Sequence, residues 1–336
     1  MKKAVLLINL GTPDSPGVSD VGKYLKEFLN DSRVIDYPYL KRKLLVNGII
    51  VPFRKKESAK IYKQLWTKEG SPLLFHLVNL AKKVQKVYGD EVDVFYGMRY
   101  QSPSLKDALE KIRKGNYEKL VVVPLYPQYA SSSTGSTTQK VMEIMSKWEA
   151  IPTVSFVQSF FREEGYINSF VEIASRYDIA KYDKVVFSFH GLPERHINKI
   201  CNGELCKSAN DCIKSCGTER TYCYRSACYE TARGIAKKIN LSDEDYIVAF
   251  QSRLGKDPWI SPYTDIEIAN LGKEGAKNLL VFSAAFIADC LETTIEIGTE
   301  FHEIFVENGG EKVQLVPSLN SEDFWVDALK KIIDKH

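Results

Sequence analysis

Nowhere in the sequence do about 18 uncharged apolar residues run together, so no segment reads as a membrane-spanning helix. Basic and acidic residues nearly cancel, 46 against 43, and the resulting +3 is too small to suggest nucleic acid as a partner. No basic run interleaved with aromatics alters that reading. The GxGxxG turn of dinucleotide-binding folds is missing, and so is a Walker phosphate loop, which argues against nicotinamide and nucleoside-triphosphate chemistry. The opening MKKAVLLINLGTPDSPG is basic and then apolar, as a secretory leader would be. Asn9 and Gly11 interrupt the run, however, and no small-residue cleavage site follows. The expectation is a buried first strand and a cytoplasmic protein whose seven cysteines are thiols or metal ligands rather than disulfides.

What is present is a repeated α/β pattern. At roughly 150 residues per domain the chain has room for two, and 44% apolar with 26% charged residues is ordinary for a globular protein. Short apolar runs at 4–11, 92–100, 119–127 and 153–160 alternate with longer helical patterns, and the series begins again at 184–193, 245–253, 278–286 and 312–320. The turns repeat too. GTP after the first run matches GLP after the fifth, and SPSLKDALEKI after the second matches SPYTDIEIANL after the sixth. The fold class expected is α/β, with two similar Rossmann-like lobes, each a four-stranded parallel sheet flanked by helices. The lobes are 1–175 and 176–336, with the boundary near 175–183. In such sheets ligands bind beyond the carboxyl ends of the strands. That rule points to Gly11–Asp14, Arg99–Ser102, Tyr126–Ser136, His190–His196, Gln251–Pro262 and Ala285–Glu296.

Two of those segments carry residues suited to metal chemistry. His190 ends a strand ahead of Gly-Leu-Pro, a tight turn that would hold its ring at the strand terminus. Histidine can bind a divalent metal or accept a proton near neutral pH. In FIADCLETTIEI, Asp289, Glu292 and Glu296 fall at i, i+3 and i+7, one face of a helix. The spacing alone fits a solvated face equally well, and Glu300 continues the stripe. The apolar surroundings and the strand-end location favour an acidic line serving a metal. Oxygen ligands with a neutral imidazole suit transient passage of a divalent ion, which thiolates would hold too tightly to release. Cys290 is therefore expected to pack rather than ligate.

FSFHGLP, FQSRLGKDPWISPYTD and AAFIADCLETTIEI resemble the matching segments of the ferrochelatase family, as do NLGTP, GMRYQSPSL and LYPQYASSSTG. The resemblance runs through the chain outside one insertion. It implies a chelatase-like fold and the reaction of Fe²⁺ with protoporphyrin IX to give protohaem, the last step of haem biosynthesis. By position it makes His190 the residue at the metal and the proton acceptor, with Glu292 facing it across the macrocycle. Asp289 and Glu296 lie on the acidic path behind, and Arg99, Tyr100, Tyr126, Ser132, Trp259 and Phe286 line the porphyrin. Some members carry histidine where this chain has Cys290. Asp14 stands where coproporphyrin-using relatives often have tyrosine, which leans toward protoporphyrin. The competing readings are another tetrapyrrole metallase, taking coproporphyrin or cobalt, and a non-catalytic porphyrin or haem sensor. A sensor needs no acidic metal path.

Two segments remain. Cys201, Cys206, Cys212, Cys216, Cys223 and Cys228 crowd the stretch after HGLPERH without a CxxC pair. An iron–sulfur cluster on four thiolates is thus more natural than a zinc ribbon. Some ferrochelatases hold a [2Fe–2S] cluster, and the expectation is one on Cys201, Cys206, Cys212 and Cys216, with Cys223 as substitute. The cysteine-rich insertion is 197–228; Cys228, at its last position, matches a position the family shares and is the weakest candidate ligand. Residues 38–56, PYLKRKLLVNGIIVPFRKK, mix apolar side chains with Lys and Arg. They read either as a buried helix with solvated ends or as an amphipathic lip making peripheral contact with the inner membrane face, where the family's active-site lip lies.

Overall fold

Strands flanked by helices on both faces are buried on both sides and so read as continuous apolar runs. The computed structural model, which describes residues 2–200, 222–253, 255 and 257–336, has eight of them. They are β1 (Lys3–Gly11), β2 (Val92–Tyr100), β3 (Lys119–Pro124), β4 (Thr153–Phe156), β5 (Lys184–His190), β6 (Tyr246–Gln251), β7 (Asn278–Phe282) and β8 (Lys312–Leu315). Every pairing is parallel. The two sheets have orders β2-β1-β3-β4 and β6-β5-β7-β8, the second being the first advanced by four strands. The duplicated lobes expected from the sequence are what the chain forms.

The duplication extends to packing. In the first unit Ala4, Leu6 and Ile8 of β1 pack with Leu109 of α5 (Leu105–Lys114) and Val141 of α6 (Ser136–Met145). In the second, Val186 of β5 packs with Ile268 of α10 (Thr264–Lys273) and with Ile297 and Phe301 of the helical segment after β7. The repeated glycines share a cause. A Cβ on Gly11 would stand 2.3 Å from the Tyr100 carbonyl oxygen, and one on Gly191 2.8 Å from that of Gln251, so each lobe's first strand must leave the sheet without a side chain. The Ser102–Pro103 and Ser261–Pro262 bonds, at matching positions, are both cis. Both segments after the third strands, Ser131–Gly135 and Leu291–Phe301, start as π-helix, a wide form often found at functional sites.

The chain divides into two compact units, but not at a single boundary near 175–183. Unit 1 holds 1–126, 130–159 and 320–336, and unit 2 holds 127–129 and 160–319. Helix α7 (Glu164–Ala174) packs on α9 (Tyr224–Lys238) and so joins the second unit. The last helix, α12 (Asp323–Asp334), returns to the first. Its fully buried Trp325 anchors it, and Asp334 and Asp323 accept from Tyr88 and Lys83 of α4 (Pro72–Tyr88), each at 2.7 Å. Sequence periodicity says which face of a helix is buried but not against which sheet.

Residues 38–56 fall in one helical run, α2 (Tyr39–Leu44), a π-helical turn (Leu45–Ile50) and the start of α3 (Val51–Leu65). The π turn precedes Pro52, which has no N–H to give a regular ladder. Leu40, Leu44 and Phe53 are 73–77% exposed, whereas Arg42 is buried and donates to the Ile35 and Tyr37 carbonyls. The run is thus an amphipathic surface element rather than a buried helix. Among the described residues no helix is long and apolar enough to cross a membrane.

Candidate functional site

His190 is the last residue of β5 and pairs in register with Gln251, the last of β6. Immediately beyond, the Gly191 N–H donates to the Gln251 carbonyl at 2.7 Å. The ring is fixed by its neighbour. His190 Nδ1 lies 2.6 Å from the Gly191 carbonyl oxygen, and a carbonyl only accepts, so Nδ1 carries the proton and Nε2 keeps its lone pair in the neutral ring. Tying one ring nitrogen to a carbonyl is how metal-binding histidines are oriented and kept basic at the other. Tyr224, buried at the start of α9, donates to the His190 carbonyl at 2.8 Å. Trp259 and Phe286 stand 6.5 and 6.4 Å from the imidazole, centroid to centroid. Three of the expected residues therefore meet here. The segment bearing Trp259 is held by Ile260 N–H to the Leu192 carbonyl and Glu194 N–H to that of Pro258.

The acidic line is built differently from the expected helical face. Cys290 is extended, and the helix starts only at Leu291 because the Thr293 hydroxyl accepts from the Cys290 N–H at 2.9 Å and caps it. Asp289 thus lies ahead of the helix, where it accepts from the Ser318 N–H at 2.9 Å. Glu292 and Glu296 stay together on the helix. The Glu296 carboxylate accepts from Ser252 Oγ at 2.5 Å and Gln251 Nε2 at 2.9 Å, and the same Nε2 reaches the Glu292 carbonyl at 2.8 Å. Burial raises the Glu296 pKa above the ordinary carboxylate value; Ser252, Gln251 and, when its ring is protonated, His190 oppose this, and Glu292 adds to it. Burial, and then the Glu292 charge, push the Cys290 thiol far up, which favours the protonated thiol. Among the described residues no group of three or more His, Cys, Asp or Glu side chains is arranged to hold a metal ion.

In the first unit, Arg99 and Tyr100 at the end of β2 turn to a residue that pattern reading misses. Asp31 accepts from Arg99 Nη2 at 2.6 Å, Tyr100 OH at 2.9 Å, Ser136 Oγ at 2.5 Å and the Arg33 N–H at 2.7 Å. Arg99 also donates to Ser136 Oγ at 2.7 Å and stacks on the Tyr100 ring. Its charge is thus matched by Asp31, with both side chains about nine-tenths buried. Arg33 is held instead by two neutral acceptors, Gln139 at 2.6 Å and Ser131 at 2.8 Å. Tyr126 and Ser132 are half-buried, the Tyr126 hydroxyl 3.5 Å from that of Thr137.

Cys201, Cys206, Cys212 and Cys216 lie outside the described residues. Cys223 is buried just before α9, and Cys228 is buried within it, its thiol pushed far up by burial although Tyr224 opposes this.

Sequence comparison gives these residues a context. The ferrochelatase family profile matches residues 2–336. A ferrochelatase of Coxiella burnetii (strain Dugway 5J108-111) is 44% identical over 336 residues, covering 99% of this chain and 94% of its own. One from Legionella pneumophila (strain Lens) is 41% identical over 335 residues, covering 100% and 99%. Among solved structures, SirB from Bacillus subtilis with Fe³⁺ superposes with a TM-score of 0.54 at 11% identity, covering 100% of this chain and 95% of that one. The sirohydrochlorin chelatase SirB from Bacillus subtilis subspecies spizizenii with cobalt gives 0.51 at 11%, with the same coverage. At that identity the likeness establishes a two-lobed chelatase-like fold and nothing finer.

The Asp31 network yields a stability prediction. Burial alone would raise the Asp31 pKa; bonds from Ser136 and the Arg33 N–H, the Arg99 charge and the Tyr100 bond outweigh it and hold the carboxyl below its ordinary value. A depressed folded-state pKa gives stability that is complete above the unfolded value of about 3.9 and is lost as pH falls through the folded one. Asp31→Asn leaves Arg99 buried without its partner and should lower the unfolding free energy at pH 7 by about 3–5 kcal/mol. In urea titrations the gap from the unaltered protein should narrow below pH 4, where that protein loses the same charge.

Proposed function

The chain belongs to the ferrochelatase family, and on that premise we propose that it inserts Fe²⁺ into protoporphyrin IX to form protohaem, with His190 and Glu292 as its catalytic residues. The observation that carries the assignment of residues is the His190 tautomer. Its Nδ1–H is spent on the Gly191 carbonyl, and its Nε2 is left as a base on a ring with two aromatic side chains nearby.

The reaction exchanges two pyrrole N–H protons for one divalent cation. A flat ring shields its nitrogen lone pairs, so binding energy spent on bending it raises the rate rather than merely tightening substrate binding. His190 Nε2 takes a proton from the ring and meets the metal, Glu292 faces it across the ring, and Glu296 stands behind on the path of the incoming ion. Carboxylate oxygens replace the water that Fe²⁺ sheds and release it again. Asp289, bonded to the Ser318 N–H, sits at the outer end of that path. Trp259 and Phe286 contribute apolar walls, and by family resemblance Tyr126, Ser132, Tyr100 and Arg99 also contact the ring. Because Asp31 already matches the Arg99 charge, Arg99 acts there chiefly as a shaped donor.

Two finer readings accompany this one. The cysteine-dense segment holds a [2Fe–2S] cluster on Cys201, Cys206, Cys212 and Cys216, with Cys223 as the substitute ligand; six cysteines in 28 residues without a CxxC pair support it. The run 38–56 makes peripheral contact with the inner membrane face, supported by exposed Leu40, Leu44 and Phe53 beside exposed Lys41, Arg54 and Lys56.

His190→Ala should cut Fe²⁺ or Zn²⁺ insertion by roughly 10³-fold while porphyrin binding, followed by fluorescence, survives; retained turnover would remove His190 from its role. Protein purified without oxygen should show the visible absorption of a [2Fe–2S] centre and about two iron and two sulfide per chain, whereas a colourless, zinc-loaded protein sinks the cluster. Co-sedimentation with anionic vesicles should be strong at low salt, weak at high salt and reduced by Phe53→Glu; binding indifferent to salt and to that change counts against the lip.

A further inference from the structure

The two units can be laid over one another residue by residue at the ends of their strands. Gly11 and Gly191 are the matching glycines, each against the last carbonyl of the neighbouring strand. Leu10 then corresponds to His190, and Arg99 to Gln251, because the Met98 N–H donates to the carbonyl of cis-Pro103 as the Phe250 N–H does to that of cis-Pro262, with β2 running one residue further than β6. The π-helical segments begin at Ser131 and Leu291, each after one extended residue. Ser132 therefore corresponds to Glu292, and Ser136 to Glu296. The same bond occurs in both units. Arg99 Nε donates to Ser136 Oγ at 2.7 Å, and Gln251 Nε2 donates to Glu296 Oε2 at 2.9 Å. What differs is the sign of the partners: a cation meets a neutral hydroxyl in unit 1, and a neutral amide meets a carboxylate in unit 2.

The amide's orientation is fixed. Ser188, wholly buried, donates to Gln251 Oε1 at 2.6 Å, so Nε2 must face the helix, where one nitrogen serves both the Glu296 carboxylate and the Glu292 carbonyl. We propose that Gln251 is a positioning residue for metal delivery: it pins the helix of Glu292 and Glu296 to the strand end beside His190, and does so without a charge that would cancel theirs. The inference rests on the metal path proposed above. An arginine here, the counterpart of Arg99, would make the same bond and neutralise the carboxylate that draws in the cation.

The test is steady-state Zn²⁺ insertion by the full chain, with the KM for metal and the porphyrin affinity measured separately. Gln251→Met keeps the volume and loses both bonds, and the KM for Zn²⁺ should rise roughly tenfold, the usual scale for losing an outer partner of a metal ligand, with porphyrin affinity unchanged. Gln251→Arg keeps a donor and adds charge, and its KM for Zn²⁺ should rise further still. A merely structural role predicts the reverse order, with Arg closer to the unaltered protein than Met, and that order overturns the proposal. If Gln251→Arg fails to fold, seen as lost porphyrin binding, Ser188→Ala replaces it: freeing the amide oxygen should raise the metal KM several-fold, and unchanged metal KM in both Ser188→Ala and Gln251→Met refutes the idea. Failure of the underlying path looks different, since Glu292→Gln and Glu296→Gln would then leave metal KM untouched.

Discussion

The parallel pairing of β5 with β6 is the constraint on which the second unit's site depends. Both strands stop at the same level, His190 opposite Gln251, and the Gly191 N–H to Gln251 carbonyl bond turns the chain out of the sheet there. Any side chain at 191 would strike that carbonyl, so the turn tolerates only glycine, and its own carbonyl then lies where it can accept a hydrogen bond from the imidazole Nδ1–H. Tautomer, ring direction and contact with the acidic helix all follow from one register. A shift by a single residue would turn His190 to the opposite face and remove Gln251 from the helix it holds.

Each unit buries carboxylate chemistry at its strand ends, and the two solve the resulting cost in opposite ways. An unpaired charge out of water is expensive. In the first unit Asp31 is met by Arg99, two hydroxyls and a backbone N–H, which offset burial and hold it ionised. In the second, Glu296 receives only neutral donors and the influence of His190, and burial prevails, so its pKa is raised. The first arrangement is a rigid anchor. The second leaves a carboxylate held by neutral donors with no Arg or Lys partner among the described residues, an arrangement that fits the proposed metal path.

Much of this was legible in the sequence because it depends on local pattern. Eight apolar runs became eight strands, and the repeated GTP/GLP and Ser-Pro turns announced the duplication because each is required by a close backbone approach or a turn that few residues can make. What escaped reading was non-local or neutral. Asp31 gains its importance from Arg99 and Ser136, 68 and 105 residues away, and no periodicity marks it. Gln251 and Ser252 carry no charge and belong to no metal motif. The placement of Asp289 on the helical face fails because i, i+3 spacing presumes an α-helix through Cys290, whereas the Thr293 cap starts the helix at Leu291 and its first turns are π-helical. The crossing of α12 back to the first unit could not be read, since an amphipathic stripe does not name its partner.

A protein that passes a metal to a substrate faces a requirement opposite to that of one that keeps it. Ligands must compensate the ion for lost water, yet release it to four ring nitrogens. One imidazole with a fixed lone pair and two carboxylates on a helix meet that condition better than a thiolate, which would compete for a soft or borderline ion. Cys290 stands two residues from Glu292, and its thiol would be such a competitor if ionised. Full burial and the adjacent carboxylate favour its protonated form, so on the metal path proposed above the acidity that would draw in the cation also works against a thiolate that could trap it.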